Sequence, residues 1–323
     1  MFSSYIYEFH DFRGKVRWQY DRVLLDRWCN EAYLALRTYP QRTADSEEAD
    51  VFVVSSTLQC LSFFKQHNWI VRRYLRQLPY RHLSKPHIIF DFTDHPTPLI
   101  ETLPILRKVD NIIVCKSALH QTTYRPDIHV PIPQFPRYRF DRLPPKISER
   151  PVLASFKGNL RSNHTKIRKK LLELNKNGRI VISPGAVTES SISIGNDGEM
   201  HEVQQESPDS YTSLLYRSRF AILPRGHGYA LSYRMIESMN AGCIPVIISD
   251  GYILPFQNVI DYSKCSIRVS ESEIDSLPHI LQSREYDAQS MQRNVLHYYG
   301  RYFSTTEQII HTALDQCAEL LKD

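Results

Sequence analysis

SRFAILPRGHGYALSYRMIESMNAGCIPVIISDGYILPFQNVID, residues Ser218 to Asp261, decides the fold of this chain. Phe220 to Leu223 is a short apolar run that stops at Pro224, as a buried strand does. Arg225-Gly226-His227-Gly228 follows as a glycine-bearing loop. Apolar side chains then recur at helical spacing, at Leu231, Met235, Ile236 and Met239, and Gly242 predicts the helix end. Ile244 to Ile248 is a second buried strand, closed by Ser249-Asp250-Gly251. Strand, loop, helix and strand fit the ~30 residues of a βαβ crossover. In such a unit the loop leaving the first strand and the start of the helix form an anion site at the carboxyl end of the sheet. Arg225 stands in that loop, and Glu237 lies one turn beyond Arg234, close enough to pair with it on one helix face.

The same alternation extends outward in both directions. Tyr5 to Tyr7, Val51 to Val54, His87 to Phe90 and Asn111 to Cys115 read as strands, with helices over Trp28 to Leu36 and Leu58 to Leu78 between them. Asp127 to Pro133, DIHVPIP, is an extended segment bounded by proline, and Phe135 to Arg150, rich in proline and basic residues, reads as an interdomain linker. Val152 to Phe156 and Arg179 to Ser183 are further strands, flanking a basic helix over His164 to Asn175. Ser190 to Pro208 reads as a polar surface loop, and Tyr211 to Ser218 as the helix before the central unit. Helices over Ile274 to Gln282, Tyr286 to Tyr302 and Thr305 to Leu321 close the chain. Strands alternating with helices predict an α/β fold with parallel sheets.

At 323 residues, two domains of ordinary size are expected. The net charge of +5 suits an anionic ligand, although most of the lysines and arginines read as solvated surface. Cys29, Cys60, Cys115, Cys243, Cys265 and Cys317 form no CxxC pair and no metal-like spacing with histidine. They read as buried free thiols of a reducing compartment. No apolar run approaches the ~20 residues of a membrane span, and no signal-peptide pattern opens the sequence. The chain is therefore expected to be cytoplasmic as it stands, from a cell or a virus, or Golgi-lumenal if an anchor precedes it.

Arg225 beside the backbone of Gly226 and Gly228 can hold a diphosphate bidentately. A competing reading takes Gly226-x-Gly228 as a dinucleotide fingerprint with Asp250 as the ribose-binding acid, which would make an NAD-dependent oxidoreductase. The third glycine of that fingerprint is missing. A third reading is a non-catalytic basic module that binds glycan or nucleic acid through Lys166, Arg168, Lys169 and Lys170, although such a run is usually a solvated helix face.

The central stretch also resembles the C-terminal signature of the exostosin family of glycosyltransferases. Pro224-Arg225-Gly226, Ser232-x-Arg234-x-x-Glu237, Gly242-Cys243-Ile244-Pro245-Val246-Ile247 and Leu254-Pro255-Phe256 carry the likeness. Glu47 to Val54, DIHVPIP and Ala154 to Asn159, with Arg168 after it, echo the family more weakly. The resemblance implies a GT-B architecture of two Rossmann-like domains facing a cleft. It divides the chain into an acceptor domain, 1–140, a nucleotide-sugar domain, 141–303, and a last helix, 304–323, packing back on the first domain. It implies inverting transfer from a UDP-sugar, with xylose, glucuronic acid, galactose and N-acetylglucosamine as candidates, to a glycan acceptor hydroxyl. By the same likeness Arg225 holds the diphosphate, and Ser232 and Arg234 shape the phosphate site. Gly226 offers its backbone beside Arg225, and His227 can contact the donor, although an exposed loop histidine is the blander reading. Glu237 takes the ribose, Lys157 and Gly158 face the site, and Arg168 is structural.

Glycosyl transfer needs the growing charge of the leaving diphosphate stabilised, by a metal or by cations and helix N-termini. No Asp-x-Asp triplet occurs in the sequence, so neither metal nor cofactor is expected. Inversion also needs a base opposite the leaving group. The turn after the strand His87 to Phe90 offers Asp91, Asp94 and His95. Asp94 is the first choice, at the position where plant-type relatives carry an aspartate, and His95 is the reserve. The same Asp-x-x-Asp-His-Pro run serves equally well as a turn.

Overall fold

The computed structural model describes residues 3–7, 27–55, 85–92, 112–158, 166–174, 179–184, 193–194, 200–201, 208–226, 231 and 233–322. Among them are β1 (Ser4–Ile6), α1 (Arg27–Arg37), β2 (Arg42–Thr43), β3 (Val51–Val53), β4 (His87–Asp91), β5 (Ile112–Lys116) and β6 (His129–Pro131). These six strands form one parallel sheet in the order β2-β1-β3-β4-β5-β6. The second half contributes β7 (Val152–Gly158), α2 (Lys166–Glu173), β8 (Ile180–Pro184), β9 (Ser193–Ile194), β10 (Met200–His201), α3 (Pro208–Arg217) and β11 (Ser218–Pro224). It continues through α4 (Arg234–Asn240), β12 (Ile244–Ile248), β13 (Ile267–Arg268), α5 (Leu277–Ser283), α6 (Ala288–Tyr302) and α7 (Thr306–Leu320). Its sheet is also parallel, in the order β13-β12-β11-β7-β8. The chain is thus α/β, with one Rossmann-like sheet in each half, and both sheets are near-continuous apolar runs because both of their faces are covered.

The expected elements shift at their ends for local reasons. The helix predicted from Leu231 begins at Arg234, because Leu231 is buried at the right spacing without joining the helical ladder. Its end falls where Gly242 predicts. The Cys243 amide bonds the Ser238 carbonyl at 2.9 Å and the Gly242 amide bonds Met239 at 3.0 Å, a Schellman cap with Gly242 at φ 67°. Part of the predicted polar loop 190–208 is an antiparallel ribbon of β9 and β10. The single helix predicted over Ile274 to Gln282 is a 3₁₀ turn, Glu271–Ser276, followed by α5. The helix predicted over Leu58 to Leu78 lies outside the described residues. No described helix is long and apolar enough to cross a membrane.

The proline-rich segment after β6 is more than a spacer. The Arg137 and Tyr138 amides donate to Glu237 Oε1 at 2.9 and 3.1 Å, and the Phe140 amide donates to Asn240 Oδ1 at 2.7 Å. The strap is therefore sewn onto α4. Arg150 ends it, almost fully buried, and donates to the carbonyls of Pro145, Leu215, Ser218 and Ala241. Several of these acceptors lie at the C-terminal ends of α3 and α4, where aligned peptide dipoles favour a cation.

Two of the quoted motifs meet at the junction of the halves. The Phe256 amide bonds the Pro131 carbonyl at 2.9 Å, so Leu254-Pro255-Phe256 docks on DIHVPIP. Phe256 holds φ 51°, a strained conformation for a ring-bearing residue, and its ring stacks on Phe303. Beside it the Ile253 amide bonds Leu119 and the Gln121 amide bonds Gly251. Gly251 is required twice: its φ is 72°, and a Cβ there would lie 2.3 Å from His120 Nε2. After α6, the chain crosses over, and α7 packs on α1 and β6.

His129, on β6, shows what burial does to a titratable group. It is 2% exposed, its Nδ1 accepts from the Arg125 amide at 3.0 Å, and among the described residues its Nε2 has no hydrogen-bond partner. Burial first, then the charges of Arg125 and Lys116, push its pKa from 6.5 down to about 4. The unfolded chain therefore takes up a proton that the folded one refuses as pH falls from 6.5 toward 4. Stability is present above that window and is lost through it, by on the order of 2 kcal/mol between pH 7 and pH 5. In His129→Leu the drop in melting temperature between pH 7 and pH 5 should shrink. An equal drop in both chains would show that His129 does not carry this acid sensitivity.

Candidate functional site

At the carboxyl ends of β7 and β11 the chain collects cations. Pro224 still pairs with Ile248, and the Arg225 amide extends the ladder by bonding the Ile248 carbonyl at 2.9 Å. That fixes Arg225 at the mouth of the sheet. Arg234 opens α4 one loop later and turns its Nε onto the Lys157 carbonyl at 3.1 Å. Its guanidinium lies 5.8 Å from the Phe156 ring and 5.1 Å from that of Tyr233. Arg168, from α2, lies 5.7 Å from the same Phe156 ring and donates to the Arg225 carbonyl at 3.4 Å. Lys157 and Arg168 are each at most 9% exposed.

Crowding of like charges is visible in Arg168, whose pKa falls from 12.5 to about 10, through burial first and the charge of Arg234 second. An anion among these groups relieves both costs. Gly158 is what allows the approach: a Cβ there would lie 2.7 Å from Phe156 Cζ and 3.1 Å from Arg234 Nη2. A small crevice, of a volume near that of a single water, lies beside the cluster, lined in part by Phe156, Lys157, Tyr211, Leu223 and Arg234.

Arg225 is engaged by Glu271, at 2.6 Å from Nε to Oε1, with both side chains about a fifth exposed. Asp250 Oδ1 in turn accepts from the Glu271 amide at 3.2 Å. Asp250, the ribose acid of the dinucleotide reading, is thus occupied in capping the Ser270–Glu271 turn. Glu237, expected to take ribose hydroxyls, is fully buried. One of its oxygens accepts the strap amides and the other accepts Tyr211 Oη at 2.8 Å. Burial raises the Glu237 carboxyl above its usual range against the pull of these donors and Arg234, and it raises the Tyr211 hydroxyl as well. His227 and Ser232 lie outside the described residues.

On the first sheet, Asp91 ends β4 fully buried and bonds Lys116 of β5 at 3.0 Å. Asp94 and His95 lie outside the described residues. No described group of three or more His, Cys, Asp or Glu is placed to hold a metal ion. On α2 the basic run divides: Arg168 turns inward, whereas Lys169 and Lys170 are exposed, with Lys170 3.9 Å from Asp275.

Of the residues expected from the sequence, Arg225, Arg234, Lys157 and Gly158 lie together at this strand mouth. Arg168, expected to be structural, bonds the Arg225 carbonyl there, and Glu271 and Tyr211 join from elements that carry no motif. One signal for Arg168 was available: Ile167, Arg168 and Leu171 share a buried face, so that arginine points at the sheet.

The exostosin GT47 domain model matches residues 5–284. Exostosin-1 of Drosophila melanogaster is 28% identical over 307 residues, covering 87% of this chain and 39% of the relative. Exostosin-1 of Bos taurus is 24% identical over 295 residues, covering 84% and 38%. The chain thus spans about two fifths of the length of the curated relatives it matches. Among solved structures, Anabaena Alr3699/HepE in complex with UDP and glucose aligns over 100% of both chains at 11% identity and TM-score 0.45. Acinetobacter baumannii MurG aligns over 89% of this chain and 78% of its own at 12% identity and TM-score 0.39. A family model covering most of the sequence, over motifs that the fold places at one strand mouth and one interdomain joint, decides the matter: the chain belongs to the exostosin GT47 family of glycosyltransferases.

Proposed function

We propose that this chain transfers a sugar, with inversion, from a UDP-sugar to a hydroxyl of a glycan acceptor, and that it does so without a metal ion. The observation that carries the reading is the pair of half-enclosed guanidiniums, Arg168 and Arg234, beside the Phe156 ring at the strand mouth of the second sheet, held there by the carbonyls of Arg225 and Lys157. A cluster held so tightly that burial and a neighbour depress one guanidinium is suited to a diphosphate, whose charge grows as the glycosidic bond breaks. In this reading Arg234 and Arg168 meet the diphosphate from inside. Arg225 exchanges Glu271 for a phosphate oxygen, and Gly226, His227 and Ser232 complete the loop. Glu237 acts by holding the strap and Tyr211 against α4, and it reaches a ribose only if the Arg137 and Tyr138 amides release it.

For the base we propose Asp94, with His95 in reserve. Asp91 is the least suited of the three, because an acceptor hydroxyl cannot reach a fully buried carboxylate already bound to Lys116. The test is slow hydrolysis of a panel of nucleotide sugars in EDTA, which needs no acceptor. One UDP-sugar should be cleaved at a rate that EDTA leaves unchanged. With an acceptor in hand, Asp94→Asn should lower kcat by ~10²-fold at unchanged UDP affinity. Loss of hydrolysis in EDTA, restored by manganese, would mean that carboxylates bind a catalytic metal.

A further inference from the structure

Cys115 and Cys317 lie far apart in sequence, 202 residues, yet their sulfurs are 3.4 Å apart and both side chains are fully buried. Cys115 sits on β5, in the middle of the first sheet, and pairs in register with Phe90 and Val130. Cys317 sits in the last turn of α7. Two further thiols are placed differently: Cys243 donates to the Leu215 carbonyl and Cys265 lies against the Asp261 carbonyl. We infer that Cys115 and Cys317 form a cystine site, at which an oxidant of the disulfide class converts two contacting thiols into a covalent tie between the last helix and the first sheet. The inference does not depend on the proposed transferase reaction.

The chemistry needs two exchanges. One cysteine thiolate attacks the oxidant's S–S bond, and the first thiolate leaves. The second cysteine thiolate then attacks the protein sulfur of the mixed disulfide. The Cys115–Cys317 bond forms as the second oxidant thiol leaves, and the two protons of the cysteines end on the released thiols. Buried thiols must first be uncovered. Local opening of α7, which packs on α1 and β6 beside the β5 strand, would uncover both sulfurs. Re-closure brings the sulfurs back into contact. α6 packs on α4 and β12 of the second half, and α7 carries the chain back to the first. The cystine would therefore close a covalent ring through both halves, with Tyr39 Oη donating to Asp315 alongside at 2.9 Å.

The folded chain should be incubated with oxidised glutathione, digested without reduction and mapped by mass spectrometry. The expected product is a Cys115–Cys317 linked peptide, with two glutathione thiols released per chain. The melting temperature should rise by about 5 °C and return on reduction, since a link spanning so long a loop restricts the unfolded chain. Cys317→Ser should show neither the linked peptide nor the rise. Recovery of both cysteines as free thiols, as separate glutathione adducts, or paired with other cysteines would overturn the inference.

Discussion

Arg150→Ala is expected to lose at least ~4 kcal/mol of folding stability and to unfold at a much lower urea concentration than the parent. The side chain is about 1% exposed and fills the space among Pro145, Leu215, Ser218, Ala241 and Cys243. Its removal strips donors from several buried carbonyls at about 1–3 kcal/mol each and leaves a cavity that water must enter or the core must bear. Cys243 can still serve the Leu215 or Ser218 carbonyl, which offsets part of the loss. A total of at least ~4 kcal/mol remains, a large share of the ~5–15 kcal/mol that holds a domain together. Arg150→Lys should recover only part of it, because one ammonium cannot span acceptors on the strap, α3 and α4. Urea unfolding followed by circular dichroism measures both. A midpoint for Arg150→Ala within experimental error of the parent would show that the strap is held by its backbone alone.

Arg150 also marks where the sequence stops being readable. It falls in a proline-rich, basic run whose composition is that of an exposed linker, and the acceptors that bury it come from three separate elements. No periodicity carries that convergence. Strands were legible because parallel strands covered on both faces are unbroken apolar runs, and β4, β5, β7, β11 and β12 each coincide with one. The start of α4 was misread by three residues because Leu231 has the helical spacing and no Ser, Thr, Asp or Asn at Tyr233 marks the N-terminus. Its end was legible because only glycine sits comfortably at φ 67°. At the site, Arg225 and Arg234 were visible as motif positions. Arg168 needed the fold, since only the fold sets its guanidinium beside the Phe156 ring of β7 and the Arg225 carbonyl. Glu237 is the reverse case, a carboxylate in a functional motif that the fold encloses within a structural network.

The donor site carries the second large effect. Each charge-assisted contact to a diphosphate contributes ~1.5–3 kcal/mol. Arg225 should fall at the low end, because binding costs it the Glu271 pair about a fifth exposed to solvent. Arg234 should fall at the high end, because it is 8% exposed and its charge is poorly screened. Together they account for roughly 10²–10⁴-fold in affinity. Arg225→Ala/Arg234→Ala should still fold, since the hydrogen bonds of the buried Glu237 carboxyl come from the Arg137 and Tyr138 amides and Tyr211, although loss of the Arg234 charge lowers its stability.

The direct measurement is calorimetric titration of UDP into the parent chain and into Arg225→Ala/Arg234→Ala, with melting curves to verify that both are folded. Measurable binding by the parent, weakened at least hundredfold in a double variant that still melts cooperatively above the titration temperature, is the predicted result. No UDP binding by the folded parent, or equal affinity in the two chains, would contradict the assignment of this strand mouth as the nucleotide-sugar site.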